Sequence, residues 1–195
     1  MTRAIWDHLL SEVRKAHTSH PGLSAFCPFP EDVREVEVLP NHIPPSDLLQ
    51  AETRLAARRY FKVRDAFIAA SPLARWRETY RGTDIGQDFL DRFACYCLIG
   101  AGGAFASNLM SGFVVYMPPG LWYPWHHHPA EEAYLVLAGE ARFFREGQPM
   151  EVFGEGDVSV HASNQPHAMK TEDQAVMAYV VWRNGFGTPP VLTKT

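Results

Sequence analysis

One strand–turn–strand segment constrains the fold of this chain more than any other part of the sequence. His126 and His128 are two residues apart, so on a β-strand both imidazoles leave the same face. Residues 129–131 predict a short turn, and Glu132 and Tyr134 share one face of the apolar strand that follows. If the turn folds the two strands together, two imidazoles, a carboxylate and a phenol point into one pocket.

The polar residues of this pocket are typical of a metal site. Two neutral imidazoles and a carboxylate are a normal set of ligands for Zn, Fe(II) or Mn. A fourth ligand is available downstream, at His167. The sequence therefore predicts one divalent metal ion bound by His126, His128, Glu132 and His167.

Three nearby polar residues are left out of the predicted ligand set. His127 should point to the opposite face from its two neighbours, toward the surface or behind the ligands. Glu131 competes with Glu132 for the carboxylate role, but the strand register favours Glu132. His161 could be a further imidazole near the pocket, although such residues more often cap a turn, and we do not assign it to the site.

The spacing around this segment resembles the first cupin motif, G(x)5HxH(x)3-4E(x)6G. Gly120 and Gly139 bracket the histidines and Glu132 at every fixed position of that motif. The second cupin motif is matched loosely, with Gly156 and His167 in place and three other consensus positions changed. The resemblance implies an antiparallel β-barrel, or jelly roll, and says little about the reaction, because one fold hosts many chemistries.

The order of predicted elements indicates an α+β, mainly β fold, in which a helical N-terminal segment packs on a single C-terminal cupin barrel. The sharpest change in composition is at residues 100–103, which divides the chain into residues 1–100 and 101–195. Apolar spacing predicts helices at 3–17, from Ser46 to Phe67, at 76–80 and from Gly82 to about 98. Strands are predicted at 105–117, 121–128, 132–138, 140–146, 157–161, 166–171 and 175–183.

Composition excludes several classes of partner. The net charge is −4, and no cluster of Lys and Arg suggests nucleic acid or an anionic membrane. No apolar run approaches the length of a membrane span, and Asp7 and His8 interrupt the N-terminus where a signal peptide would be apolar. Three cysteines without framework spacing predict reduced thiols and a cytoplasmic location. Exposed strand edges and an amphipathic first helix are compatible with a homodimer.

Aromatic residues are dense immediately before the first ligand histidine. Trp122, Tyr123 and Trp125 fall within four residues. Most aromatic residues on strands belong to the core, but a pocket lined by them also suits a weakly hydrated cation, which a π face attracts by about 1–2 kcal/mol. On a regular strand Trp122 would share the face of His126, and Tyr123 would share it only if the strand is distorted near Pro124.

A helical segment of about a hundred residues, a single cupin and a tyrosine two positions after the ligand Glu together resemble the cupin-type dimethylsulfoniopropionate lyases. The resemblance covers almost the whole chain. It implies the same four metal ligands and places active-site tyrosines at Tyr134 and Tyr123. It also places a pocket tryptophan at Trp182, and it implies that the strand is distorted so that Tyr123 enters the site.

The resemblance implies a β-elimination that cleaves a small sulfonium substrate, dimethylsulfoniopropionate, to dimethyl sulfide and acrylate. A divalent metal ion bound to the carboxylate of the substrate would stabilise the negative charge that develops when the α proton is removed. We take Tyr134 first as the base, with Tyr123 as its competitor, and Trp122, Tyr123 or Trp182 as the holder of the sulfonium. The alternatives are an Fe(II) dioxygenase acting on a small acid and a cupin that binds a small ligand without catalysis.

Overall fold

Five α-helices lie within residues 2–194, the part of the chain that the computed structural model describes. The longest, α1, carries apolar side chains at helical spacing and buries Leu9 and Val13 completely. None of the five described helices combines the length and the apolar character that crossing a bilayer requires. The helices are α1 Thr2–Ser19, α2 Pro21–Phe26, α3 Pro44–Ala51, α4 Phe61–Ala70 and α5 Gln87–Arg92, with a 3-10 turn at Ser71–Leu73.

The single helix predicted from Ser46 to Phe67 is wrong, because α3 and α4 are separated by the non-helical residues 52–60. The first of the two begins at Pro44, where a residue without an N–H fits the first helical turn. The helix predicted at 76–80 is also wrong, since this stretch is irregular and bridges to a strand.

A contact with the barrel fixes the start of α4. The backbone N–H groups of Arg58, Arg59 and Tyr60 donate to the Glu155 carboxylate at 2.7–2.9 Å. These amides lie just before Phe61, where a helix leaves its first N–H groups without partners. The carboxylate comes from a turn almost a hundred residues away, so the apolar spacing of the helices could not reveal this break.

The strands form one connected sheet among the described residues, ordered β1-β3-β2-β4-β10-β6-β9-β5-β11, with β7 and β8 also paired to β6. Their bounds are β1 Arg34–Glu35, β2 Ala94–Ile99, β3 Phe105–Ala106, β4 Ser111–Met117, β5 Trp122–His127, β6 Glu131–Arg145, β7 Glu151–Gly154, β8 Val158–His161, β9 His167–Lys170, β10 Val176–Arg183 and β11 Val191–Leu192.

The long strand β6 joins the two walls of a barrel. Its first part pairs with β10 and β8 in the first wall, which continues from β10 to β4 and β2. Its second part pairs with β9 and β7 in the second wall, which continues from β9 to β5. Gly139 lies between the two parts with φ 70°, and an added Cβ would lie 1.8 Å from the carbonyl oxygen of Ala175. Only glycine fits there, which explains physically the last glycine of the cupin-like motif. The predicted mainly β fold with an N-terminal helical segment is confirmed.

The first wall is buried on both faces. Tyr96 and Tyr179 face the helices, whereas Cys95 and Val180 belong to the cluster inside the barrel. All six residues of β2 are buried, so the strand shows no alternation of apolar and polar residues. The helix predicted from Gly82 to about residue 98 is right over α5 and wrong from Ala94 onward, because a short, continuously apolar run has no period that separates strand from helix.

The barrel sheet takes strands from both sides of residue 100. β1 and β2 precede that residue and pair with β3 and β4, which follow it. The division into residues 1–100 and 101–195 stays a prediction.

Candidate active site

The site lies inside the barrel, between its two walls. On the first wall, Glu132 of β6 is opposite Trp182 of β10 on one side and opposite His161 of β8 on the other. On the second wall, His126 of β5 is opposite His167 of β9. The pairing of five strands therefore brings together residues that are up to 56 positions apart in sequence.

An irregularity in β5 decides which aromatic residues enter the site. The register between β5 and β9 shifts between Tyr123 and His126, which places both side chains on the cavity side. The two rings stack with centroids 3.9 Å apart. Trp122 is turned outward instead, 38% exposed, with its ring 5.3 Å from that of Phe144. The structure thus contains the strand distortion that we expected, and it leaves Trp122 outside the cavity.

Three of the four predicted metal ligands offer atoms that all lie within 4.8 Å of one another: His128, Glu132 and His167. Oε2 of Glu132 lies 3.4 Å from Nε2 of His128 and 3.0 Å from Nε2 of His167. His126 is not in this group, but its ring centroid is 4.1 Å from that of His167. All four side chains are buried.

The hydrogen bonds of the histidines leave suitable donor atoms for a metal. Nδ1 of His128 donates to the carbonyl of Ala130 at 3.0 Å, and Nδ1 of His167 donates to the carbonyl of Gln165 at 2.8 Å. In neutral rings Nε2 then carries a free lone pair. Both Nε2 atoms are buried and neither forms a hydrogen bond within the described residues. Buried polar atoms without partners are rare, and two of them facing a carboxylate fit a metal site.

The charges of the site also fit a bound cation. Burial alone would raise the pKa of Glu132, but His128 and His167 beside it hold that pKa well below its ordinary value. Burial lowers the pKa of His126 well below the usual range, and the neighbouring His167 lowers it further. Burial lowers the pKa of His128, but the neighbouring Glu132 raises it by more, so the net shift of that pKa is upward. The result is an ionised carboxylate beside His126, whose neutral form is favoured, and beside His128, whose proton a bound cation would displace.

His161, which the sequence did not assign to the site, contacts the central carboxylate. Its Nδ1 donates to Oε2 of Glu132 at 2.8 Å, and its Nε2 lies 2.9 Å from Oγ of Ser159. Burial lowers the pKa of His161 to about 4, so the ring is neutral near pH 7. Nε1 of Trp182 donates to Oε1 of Glu132 at 2.5 Å. One donor therefore holds each carboxylate oxygen, which fixes the orientation of Glu132.

We expect removal of the His161 donor to weaken metal binding. In His161→Ala, Glu132 loses one of its two orienting hydrogen bonds, and the affinity for a divalent ion should fall about 10–100-fold in a metal titration. His161→Asn, which keeps an N–H donor near the same position, should recover part of the loss. His127→Ala is the matched control, because His127 bonds to Thr193 outside the site. Equal affinities for His161→Ala and the wild type would contradict a positioning role.

Two tyrosines line the cavity, and each lies beside a different polar neighbour. Burial raises the pKa of Tyr134 well above its ordinary value, and the Glu132 carboxylate raises it further. Burial likewise raises the pKa of Tyr123, as do the neighbouring Tyr80 and Tyr134. The hydroxyls of Tyr123 and Tyr80 lie 2.8 Å apart and share a hydrogen bond. Tyr80 comes from an irregular stretch of the N-terminal segment, and no pattern in the sequence indicated that it would reach the cavity.

Trp182 faces the cavity and also contacts two of the predicted metal ligands. Its ring lies 4.2 Å from that of His128, besides its hydrogen bond to Glu132. The polar and aromatic residues that line the cavity within the described chain are Arg77, Thr79, Phe93, Cys95, Phe113, Tyr123, His126, His128, Glu132, Tyr134 and Trp182.

The comparisons with known proteins agree on one family. The sequence model of the dimethylsulfoniopropionate lyases matches residues 29–178. The chain is 48% identical to the dimethylsulfoniopropionate lyase DddQ of Ruegeria pomeroyi, over 98% of this chain and 96% of that protein.

Two solved structures cover nearly the whole chain. The crystal structure of DddQ from Ruegeria pomeroyi DSS-3 superposes with a TM-score of 0.96 at 48% identity, covering 97% of this chain and 96% of that one. A chain from the crystal structures of the DMSP lyases RdDddP and RnDddQII superposes with a TM-score of 0.95 at 35% identity, and each chain is covered completely. The similarity therefore includes the helical segment as well as the barrel.

Proposed function

This chain belongs to the dimethylsulfoniopropionate lyase family, whose members are carbon–sulfur lyases, and we propose that it cleaves dimethylsulfoniopropionate to dimethyl sulfide and acrylate with one divalent metal ion. The observation that carries the metal requirement is the pair of unpartnered Nε2 atoms of His128 and His167 beside the ionised Glu132. His126, with its ring against that of His167, is the fourth proposed ligand. Zn, Fe(II) and Mn all suit this donor set.

The difficult step is removal of a proton next to a carboxylate. A divalent ion in this site would stabilise the negative charge that develops on the substrate as the proton leaves. The base takes the α proton, the new pair forms the carbon–carbon double bond, and the carbon–sulfur bond breaks with its electrons on sulfur. Neutral dimethyl sulfide, the acrylate anion and the proton held by the base together account for the atoms and charges of the zwitterionic substrate.

Tyr134 is our first choice for the base. It lines the cavity two residues after Glu132 on the same strand face. Because burial and Glu132 both raise its pKa, it can ionise only when positive charge is bound nearby, as the metal ion and the sulfonium would supply. Tyr123 is the competitor, but its hydroxyl is already hydrogen-bonded to Tyr80. That contact favours Tyr123 as a residue that shapes the pocket.

The sulfonium would lie against the aromatic wall formed by Trp182 and Tyr123. Both rings line the cavity, whereas Trp122 packs outside it and is no longer part of this proposal. Since a π face attracts onium groups by about 1–2 kcal/mol, the wall favours the cationic end of the substrate.

We expect Trp182→Ala to raise KM for dimethylsulfoniopropionate more than it weakens inhibition by acrylate, which has no cationic group. Trp182→Phe is the control, because it keeps an aromatic face, although a smaller one, and removes the N–H that bonds to Glu132. Steady-state kinetics with acrylate as inhibitor measures both quantities. Equal losses for substrate and acrylate would show that Trp182 packs the barrel and braces Glu132 without holding the cation.

An oxygen-free headspace assay tests the proposed activity. Metal-replete protein mixed with dimethylsulfoniopropionate should release dimethyl sulfide at the same rate with and without oxygen, because the elimination needs no oxidant. Turnover that requires oxygen would favour an Fe(II) dioxygenase. Binding of the substrate without any product would favour a cupin that only binds small ligands.

The proposed location is a reducing compartment such as the cytoplasm. Cys27, Cys95 and Cys97 are all buried and form no disulfide, which supports a protein that keeps its thiols reduced. A homodimer also stays a prediction.

A further inference from the structure

Arg77 is a charged residue of the cavity, and the proposed metal site and general base give it no role. It is the only Lys or Arg among the described residues that line the cavity. None of the ion pairs within residues 2–194 includes it. Its Nε lies 3.4 Å from Oγ1 of Thr79. A guanidinium has five N–H donors, so most of them remain for a ligand.

The backbone and an aromatic ring hold Arg77 in place. Its N–H donates to the carbonyl of Cys95 on β2 at 2.8 Å. Its guanidinium carbon lies 4.8 Å from the ring centroid of Phe113, and that ring is 5.1 Å from the ring of Trp182. The rings of Phe113 and Trp182 therefore lie between the guanidinium and Glu132. Arg77 is held on the side of the cavity that Trp182 lines.

Arg77 stands where the cavity meets an outer groove. Arg77 and Thr79 line both spaces, and the adjacent residues Pro190 and Pro189 line the cavity and the groove respectively. A small molecule that enters between these two segments passes the guanidinium. The groove also contains Glu78, but its carboxylate is paired with Arg81 and does not neutralise Arg77.

We propose that Arg77 is a carboxylate-binding subsite at the entrance of the cavity, which receives the anionic end of a small zwitterionic substrate and holds acrylate as it leaves. The inference rests on the proposed function and extends it. A guanidinium binds a carboxylate through two parallel hydrogen bonds, whereas it repels an onium group. On entry the substrate carboxylate would therefore meet Arg77 before it reaches the proposed metal site, while the aromatic rings attract the sulfonium.

The overall charge of the chain makes such a subsite useful. With a net charge of −4, the protein repels a small anion at long range, so a local cation is needed at the mouth. The same residue would give acrylate, which lacks the sulfonium, a binding partner at the mouth of the aromatic cavity.

Variants of Arg77 and Arg75 test this subsite. Arg77→Gln removes the charge, and KM for dimethylsulfoniopropionate should rise roughly ten- to a hundredfold while kcat changes less than about threefold, as expected for one lost charge-assisted contact. Arg77→Lys should recover part of the loss. Arg75→Gln is the matched control for charge, because Arg75 lines the groove and not the cavity. Arg75→Gln should change KM less than about twofold.

Two ligands separate the subsite from the catalytic proposal. In NMR titrations of the full chain, Arg77→Gln should weaken acrylate binding about as much as it raises KM, and it should not weaken binding of trimethylsulfonium, which has no carboxylate. Equal loss for both ligands, or unchanged acrylate binding, would overturn the subsite. If the wild type makes no dimethyl sulfide but binds acrylate through Arg77, the lyase proposal fails and the subsite stands.

Discussion

Tyr134→Phe should lose nearly all turnover while the fold and the bound metal are retained. The substitution removes one oxygen from a side chain that lines the cavity beside Glu132, and the phenyl ring still fills the same space. Proton abstraction by a positioned group contributes about 10²–10⁴-fold, so kcat should fall by roughly that factor. Release of dimethyl sulfide and the metal content of the same sample measure the two quantities together.

Other tyrosines supply the controls for this experiment. Tyr116→Phe removes a hydroxyl that bonds to Glu52 outside the cavity, and its activity should stay near that of the wild type. Tyr123→Phe breaks the contact with Tyr80 and should have a smaller effect than Tyr134→Phe. If Tyr134→Phe stays active and Tyr123→Phe is inactive, the two tyrosines must exchange roles.

Loss of a histidine ligand should remove both the metal ion and the activity. His128→Ala and His167→Ala each remove one of the two unpartnered Nε2 atoms. Only two of the three residues whose ligand atoms lie within 4.8 Å of one another are then left. We expect metal content well below one ion per chain and dimethyl sulfide release near background. His127→Ala, the adjacent residue that bonds to Thr193, should bind metal normally.

The fold of the ligand variants must be measured in the same experiment. Glu132 is buried and its pKa is held down first by His128, so removal of that ring leaves a less compensated buried charge. Thermal unfolding of His128→Ala will distinguish a folded protein without metal from an unfolded one. Full metal occupancy in both folded variants would show that His128 and His167 are not ligands.

The local chemistry of the site could be predicted from sequence because it depends on short spacings. The HxH pair, Glu132 and Tyr134 lie within nine residues, and alternation along two strands was enough to place them together. The distortion that admits Tyr123 was expected only through the family resemblance. Regular alternation also led us to expect Trp122 in the cavity, and the structure contradicts this because the register shift in β5 turns that side chain outward.

The residues that the sequence did not reveal depend on long-range pairing. His161 reaches Glu132 because β8 pairs with β6. Arg77 lines the cavity and Tyr80 contacts Tyr123, and both come from the N-terminal segment before strand β2. Nothing in their own neighbourhood marks these residues as functional. The strand at Cys95 was missed for a related reason, since helices cover its outer face and no polar residue breaks the apolar run.

Removal and restoration of the metal test most directly whether this site cleaves dimethylsulfoniopropionate with a bound ion. The protein is stripped with a chelator, assayed, and assayed again after one equivalent of Zn, Fe(II) or Mn, with dimethyl sulfide and acrylate both quantified. We expect near-background activity in the stripped protein, recovery with at least one of these ions, and equal amounts of the two products. Undiminished release of dimethyl sulfide from protein shown to contain no metal would contradict a metal-dependent elimination at His126, His128, Glu132 and His167.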